Sequence, residues 1–189
     1  MARYQLGFAT LEDALRKAIT HLAGHSEADI RERTRAFYQE EVRGLYRSGA
    51  RRMLEWHRAR GDRLVLLTAS SLYLAELAQQ DLSLDAVLCN RFEVDARGMH
   101  TGRSEGALCF GAGKLEHARR YAEGHGIKLA DSYFYTDSYS DLPVLLEVGH
   151  PVAVNPDHRL RREAQRRGWQ VAEWGGPQAS VDPVATAAS

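Results

Sequence analysis

From residue 63 onward short apolar runs alternate with helical periods, and this alternation constrains the fold more than any other feature of the chain. "RLVLLTAS" (63–70) reads as a buried strand and "SLYLAELAQQ" (71–80) as the helix that follows it. "DAVLC" (85–89) is a second strand, and "RFEVDARGMHTGR" (91–103) alternates and turns at Asp95 to Gly98, the pattern of a hairpin or flap. "GKLEHARRYAEG", "SYFYTD", "DLPVLLEVG", "PVAVN", "DHRLRREAQRRG" and "WQVAEW" continue the series as helix, strand, helix, strand, helix, strand. Short, uniformly apolar strands are buried on both faces, which predicts an α/β fold, a parallel sheet covered by helices on either side.

The first third is helical. "LEDALRKAITHL" sets Leu11, Ala14, Leu15, Ala18, Ile19 and Leu22 on one stripe and ends before Gly24. "SEAD" reads as an N-cap with an acid three residues on, opening a helix whose expected apolar face holds Ile30, Phe37, Val42 and Leu45. "GARRMLEWHRAR" is a third helix that stops at Gly61. The division expected is a helical unit over 1–47, an α/β core over 48–174, and a disordered tail over 175–189, which has neither aromatics nor periodicity.

Charge is balanced, 25 basic against 25 acidic residues, so no net field points to nucleic acid or an anionic membrane. Only Lys17, Lys114 and Lys128 are lysines, which makes each worth inspecting. Cys89 and Cys109 have neither C-x-x-C spacing nor paired histidines, so neither a zinc site nor a disulfide framework is expected. No apolar run is long enough to span a bilayer and the first residues lack a signal-peptide profile, so the expectation is a soluble cytoplasmic protein.

Ligands of open α/β sheets bind at the carboxyl ends of the strands, and three features fall there. Thr68 closes a strand beside the amides of Ala69 and Ser70, placed either to cap a helix or to receive an anion. Lys114 opens a helix, where a cation opposes the macrodipole, so it is either a solvated lysine or a functional misfit. In "YFYTDSYSDLP" (133–143), Asp137 and Asp141 are either turn and cap residues or two carboxylates that share a cation, Mg²⁺ or a lysine. Arg43 is either a solvated helix residue or a contact for an anionic substrate.

In this order, "LVLLTAS", "GAGKLEHARRYA" and "YFYTDSYSDLPVLLEVGHPVAVNPD" resemble motifs two, three and four of the haloacid dehalogenase (HAD) superfamily, over about residues 11–174. The branch resembled is the phosphoserine-phosphatase-like one (subfamily IB), with its Rossmann-like sheet and helical cap. The resemblance implies a phosphomonoester hydrolase acting on a small phosphorylated metabolite through an aspartyl-phosphate, with Mg²⁺ as cofactor. It implies that Thr68 and the Ala69 amide bind phosphoryl oxygens, that Lys114 neutralises charge, that Asp137 binds the metal, and that Asp141 holds its water shell and orients Lys114. Residues 1–47 then become a cap remnant, and the flap over 93–102 and Arg43 become candidate substrate contacts.

Motif one, a central strand ending in D-x-D whose first Asp is the nucleophile, is not in the chain: no two of its aspartates are two apart. Three readings follow: a truncated copy of an active phosphatase, a shortened relative that only binds phosphate or metal, and a structural or interaction module. The first is preferred, with this polypeptide's own activity expected to be near nil. Strands 63–68 and 132–137 are expected to flank an absent central strand, leaving either a slot between them or a direct pairing.

Overall fold

The computed structural model describes residues 12–176. A helix over 12–20 (α1) leads through a turn to α2 (Glu27–Phe37), whose N-cap Ser26 accepts a hydrogen bond from the Asp29 amide. A π-turn (Tyr38–Val42) and a 3₁₀ turn (Arg43–Leu45) precede α3 (Ser48–Ala59). The core then runs β1 (Val65–Ser71), α4 (Leu72–Leu82), β2 (Ala86–Asn90), β3 (Phe92–Val94) and β4 (His100–Ser104). It continues with α5 (Ala112–Gly124), β5 (Tyr133–Thr136), α6 (Leu142–Leu145), β6 (His150–Val154), α7 (His158–Arg167) and β7 (Gln170–Ala172).

The predicted α/β order is observed. β1 pairs with β2, and β5 with β6 and β6 with β7, all in parallel, while β3 and β4 form the antiparallel hairpin. The hairpin turns where the sequence predicts: the Gly98 amide bonds the Asp95 carbonyl at 2.9 Å, and the Asp95 carboxylate accepts from the amides of Arg97 and Met99. Among the described residues β1 and β5 belong to separate sheets; neither a direct pairing nor a described strand joins them. A small core of Leu145, Ala153, Leu160 and Ala164, wrapped by Phe134, Tyr139, Trp169 and Val171, seals α6 and α7 onto β5–β7. The hairpin also ties the helical segment to the core: the His100 amide donates to the His25 carbonyl and the Gly24 amide to the His100 carbonyl, each at 2.9 Å.

Three expectations are corrected. The apolar face expected along Ile30, Phe37, Val42 and Leu45 does not form: Phe37 is 50% and Leu45 61% exposed. The π-turn inserts an extra residue per turn and resets the phase, so Tyr38 is buried instead, its hydroxyl bonding Tyr46 and donating to Asp81. The helix expected over 141–149 is only four residues long: the Glu147 amide bonds the Val144 carbonyl three residues back, tightening the chain into a turn, and the Gly149 amide then leaves the segment for the Leu129 carbonyl. The helix after β1 starts at Leu72 rather than beside Thr68, and its cap is Ser71. The expected tail lies outside the described residues from 177 onward.

Candidate active site

The carboxyl ends of β1 and β5 carry the residues singled out from the sequence. At β1 the register with β2 breaks between Leu67 and Ser71, so Thr68, Ala69 and Ser70 leave the regular ladder. The Thr68 hydroxyl accepts from the Ser70 amide at 3.1 Å and closes a tight turn. With Ser71 capping α4, Thr68 is not the helix cap.

Lys114 lies in the first turn of α5. The preceding loop is tight: Gly111 has a φ of +51°, and a side chain on Gly113 would lie 2.0 Å from the Leu108 carbonyl oxygen. This loop turns Lys114 inward, leaving it 8% exposed. Its Nζ donates to Asp141 Oδ2 at 2.7 Å, and Asp141 is 2% exposed. The dipole misfit read from the sequence is thus a lysine held by a buried carboxylate. Two charges taken out of water need further hydrogen bonds, and Asp141 has them: Thr136 Oγ1 donates at 2.7 Å and Ser140 Oγ at 3.4 Å.

Asp137 is exposed, and no described side chain is bonded to its carboxylate. Its carbonyl accepts from the Asp157 amide at 2.8 Å, and the Asp157 carboxylate accepts from the amides of Tyr139, Arg159 and Leu160. Asp157, cap of α7, therefore fixes the 137–139 loop. Among the described residues no group of three or more His, Cys, Asp or Glu gathers to hold a metal. Asp141 is committed to Lys114 and Thr136, so Asp137 offers one open carboxylate. Magnesium is usually held by one or two carboxylates plus water and phosphate oxygens in octahedral geometry, and the described residues supply half of such a set.

Cys109 is fully buried where these parts meet. Burial pushes its thiol up to about 12, while the Lys114 charge and a hydrogen bond with the Thr68 backbone pull it down. It is a packing residue, not a nucleophile. Beside it a cleft of about 620 Å³ opens between Arg16 of α1 and Leu108, Phe110, Tyr139 and Pro143. Arg43 is not brought into the site. Its Nε pairs with Asp81 at 3.3 Å, near the far end of α4 and about 14 Å along the helix from its start.

Sequence reasoning missed Thr136, Asp157 and Asn90. Each acts through hydrogen bonds across elements, and only the hydroxyl of Thr136, beside Asp137, leaves a local signal.

A haloacid dehalogenase-like hydrolase family model matches residues 1–146. The phosphoserine phosphatase SerB1 of Mycobacterium tuberculosis is 34% identical over 159 residues, 84% of this chain and 51% of that protein. An inhibition of morphological differentiation protein of Streptomyces azureus is 32% identical, over 92% of this chain and 71% of that one. A crystal structure of a protein of unknown function from Bordetella pertussis superposes with a TM-score of 0.82 at 32% identity, covering 93% of this chain and 79% of that one. The chain thus spans about half the length of the mycobacterial relative.

Proposed function

The chain belongs to the haloacid dehalogenase-like hydrolase family, and on that premise we propose that its site serves phosphoryl transfer from a small phosphomonoester to an aspartate, followed by hydrolysis. The observation that carries this reading is the Lys114–Asp141 pair, a buried cation held by a carboxylate at the strand ends beside the Thr68 turn. Phosphoryl transfer needs little covalent help and much positioning and cationic stabilisation. Asp141 and Thr136 fix Lys114 so that its ammonium meets the charge on the phosphoryl oxygens. The Thr68 hydroxyl accepts from the Ser70 amide and so keeps its own proton to donate to a phosphoryl oxygen, with the Ala69 amide beside it. Asp137 would hold Mg²⁺, which supplies charge neutralisation, and Asp141 would act on its water shell. The cleft between α1 and the 108–113 loop would take the leaving group.

The nucleophile of this chemistry belongs to a D-x-D strand, and residues 1–189 contain none. The proposal therefore assigns this polypeptide the stabilising half of the site and negligible turnover by itself. A second reading, a relative that binds phosphate without hydrolysing it, is favoured by the same absence. The two separate in one assay of p-nitrophenyl phosphate hydrolysis with Mg²⁺. The 189-residue chain is expected to stay at background, and a version carrying an apolar strand ending in D-x-D ahead of residue 1 to turn over. No turnover by a folded, D-x-D-bearing version would favour phosphate binding alone; turnover by the unextended chain that Asp137→Asn abolishes would require a different nucleophile.

A further inference from the structure

We propose that Asn90 is a positioning residue that holds the Thr68 turn and the Lys114 loop in fixed relation. This inference rests on the phosphate-site reading above. Asn90 ends β2 on the same side as Thr68 and is 2% exposed. Its two polar atoms face different segments: Nδ2 donates to the Ala69 carbonyl at 2.6 Å, and Oδ1 accepts from the Cys109 amide at 2.8 Å.

The first bond acts where the ladder fails. Regular pairing of β1 with β2 lapses between Leu67 and Ser71, and a buried carbonyl released from a ladder needs another donor. Asn90 supplies it for Ala69. The same peptide unit ends in the Ser70 amide, which donates to Thr68 Oγ1. Clamping the carbonyl end of that peptide therefore fixes its N–H end, and with it the lone pair of the Thr68 hydroxyl that is used. The hydroxyl keeps its own proton to donate.

The second bond anchors the other wall. Cys109 begins the tight loop that delivers α5; the Phe110 amide bonds the Leu108 carbonyl at 2.8 Å, and Gly113 passes over that carbonyl. Lys114 follows directly. One buried amide thus spans the two segments that would hold a phosphoryl group from opposite sides. Site geometry of this kind depends on supporting hydrogen bonds to within about 0.5 Å.

The test is orthophosphate titration of the 189-residue chain, read by the backbone amide resonances of Ala69 and Ser70. Asn90→Asp keeps the acceptor for Cys109 but loses the donor to Ala69; Asn90→Ala loses both. Both variants are expected to bind phosphate at least about 10-fold more weakly. The free-state Ser70 resonance should move in both, and that of Cys109 in the alanine variant most. Val152→Ala, a buried β6 change away from these bonds, serves as a stability control and should leave phosphate affinity unchanged. Wild-type-like affinity in both Asn90 variants would overturn the positioning role and leave the phosphate reading standing. A wild type in which phosphate moves neither Ala69 nor Ser70 would overturn both.

Discussion

Removing one partner of the Lys114–Asp141 pair should destabilise the chain far more than removing both. The two side chains meet at 2.7 Å with Lys114 8% and Asp141 2% exposed, so neither charge is left to water when the other goes. Breaking a buried pair this way costs about 3–5 kcal/mol, whereas an apolar replacement of both is near neutral. In Lys114→Met the carboxylate keeps its bonds from Thr136 and Ser140, which puts that variant at the low end, about 3 kcal/mol. Asp141→Leu strands the ammonium and belongs at about 4–5 kcal/mol. At about 2–4 °C per kcal/mol for a chain of this size, Lys114→Met should lower Tm by about 6–12 °C. The double variant should be more stable than either single one. Urea titration at constant m-value measures all three. A Lys114→Met chain within about 0.5 kcal/mol of wild type would refute the reasoning, since it would mean the pair is solvated in solution.

Hydrogen bonds from Arg166 and Arg167 hold the Glu163 carboxyl well below its ordinary value of 4.5, down to about 2. A depressed carboxylate contributes stability that is present above about 4.5 and is lost as pH falls toward 2, so the Tm gap between wild type and Glu163→Gln should be largest at neutral pH and close by pH 2. Both arginines are partly exposed, which limits the gap to about 0.5–1 kcal/mol. Gly149→Ala would place a Cβ 1.7 Å from the Ala130 carbonyl oxygen and should cost about 2 kcal/mol or more, whereas Gly124→Ala, with open space around it, should be neutral or stabilising in the same melts. Arg43→Ala loses a largely exposed guanidinium that pairs with the part-buried Asp81 and bonds Gln39 at 3.4 Å, while Asp81 keeps its bond from Tyr38, so it should cost about 1 kcal/mol and leave phosphate titration unmoved; a large loss of phosphate affinity would return Arg43 to the substrate site.

The order of strands and helices was legible because each strand is a short apolar run bounded by polar turns, and the Asp95 turn announces its hairpin through residues that bond their own backbone. Lys114, Asp137 and Asp141 were legible as anomalies: a cation at the wrong end of a helix and two acids closing a strand. Their pairing was legible only through the family resemblance, which has Asp141 orient Lys114, and that bond is present at 2.7 Å; the groups that support the pair were not legible. Thr136, Asn90 and Asp157 serve the site through hydrogen bonds that exist only once the fold is assembled, and Asn90 reaches partners 21 and 19 residues away in opposite directions along the chain. The burial of Tyr38 in place of the expected apolar stripe depends on a π-turn, and a single inserted residue leaves no mark in a hydrophobic pattern. The fate of Arg43 turned on Asp81, an acid 38 residues on that no local spacing connects to it.

The central claim is that Lys114 stabilises charge on a transferring phosphoryl group, and the most direct measurement is kcat for p-nitrophenyl phosphate in the version carrying the D-x-D strand, with and without Lys114→Ala. The account predicts a loss on the order of 10²-fold or more in kcat, since the phosphoryl charge would be left without its fixed cation. An alanine variant that folds and turns over near the wild-type rate would contradict it, and would leave Lys114 as no more than the structural partner of Asp141.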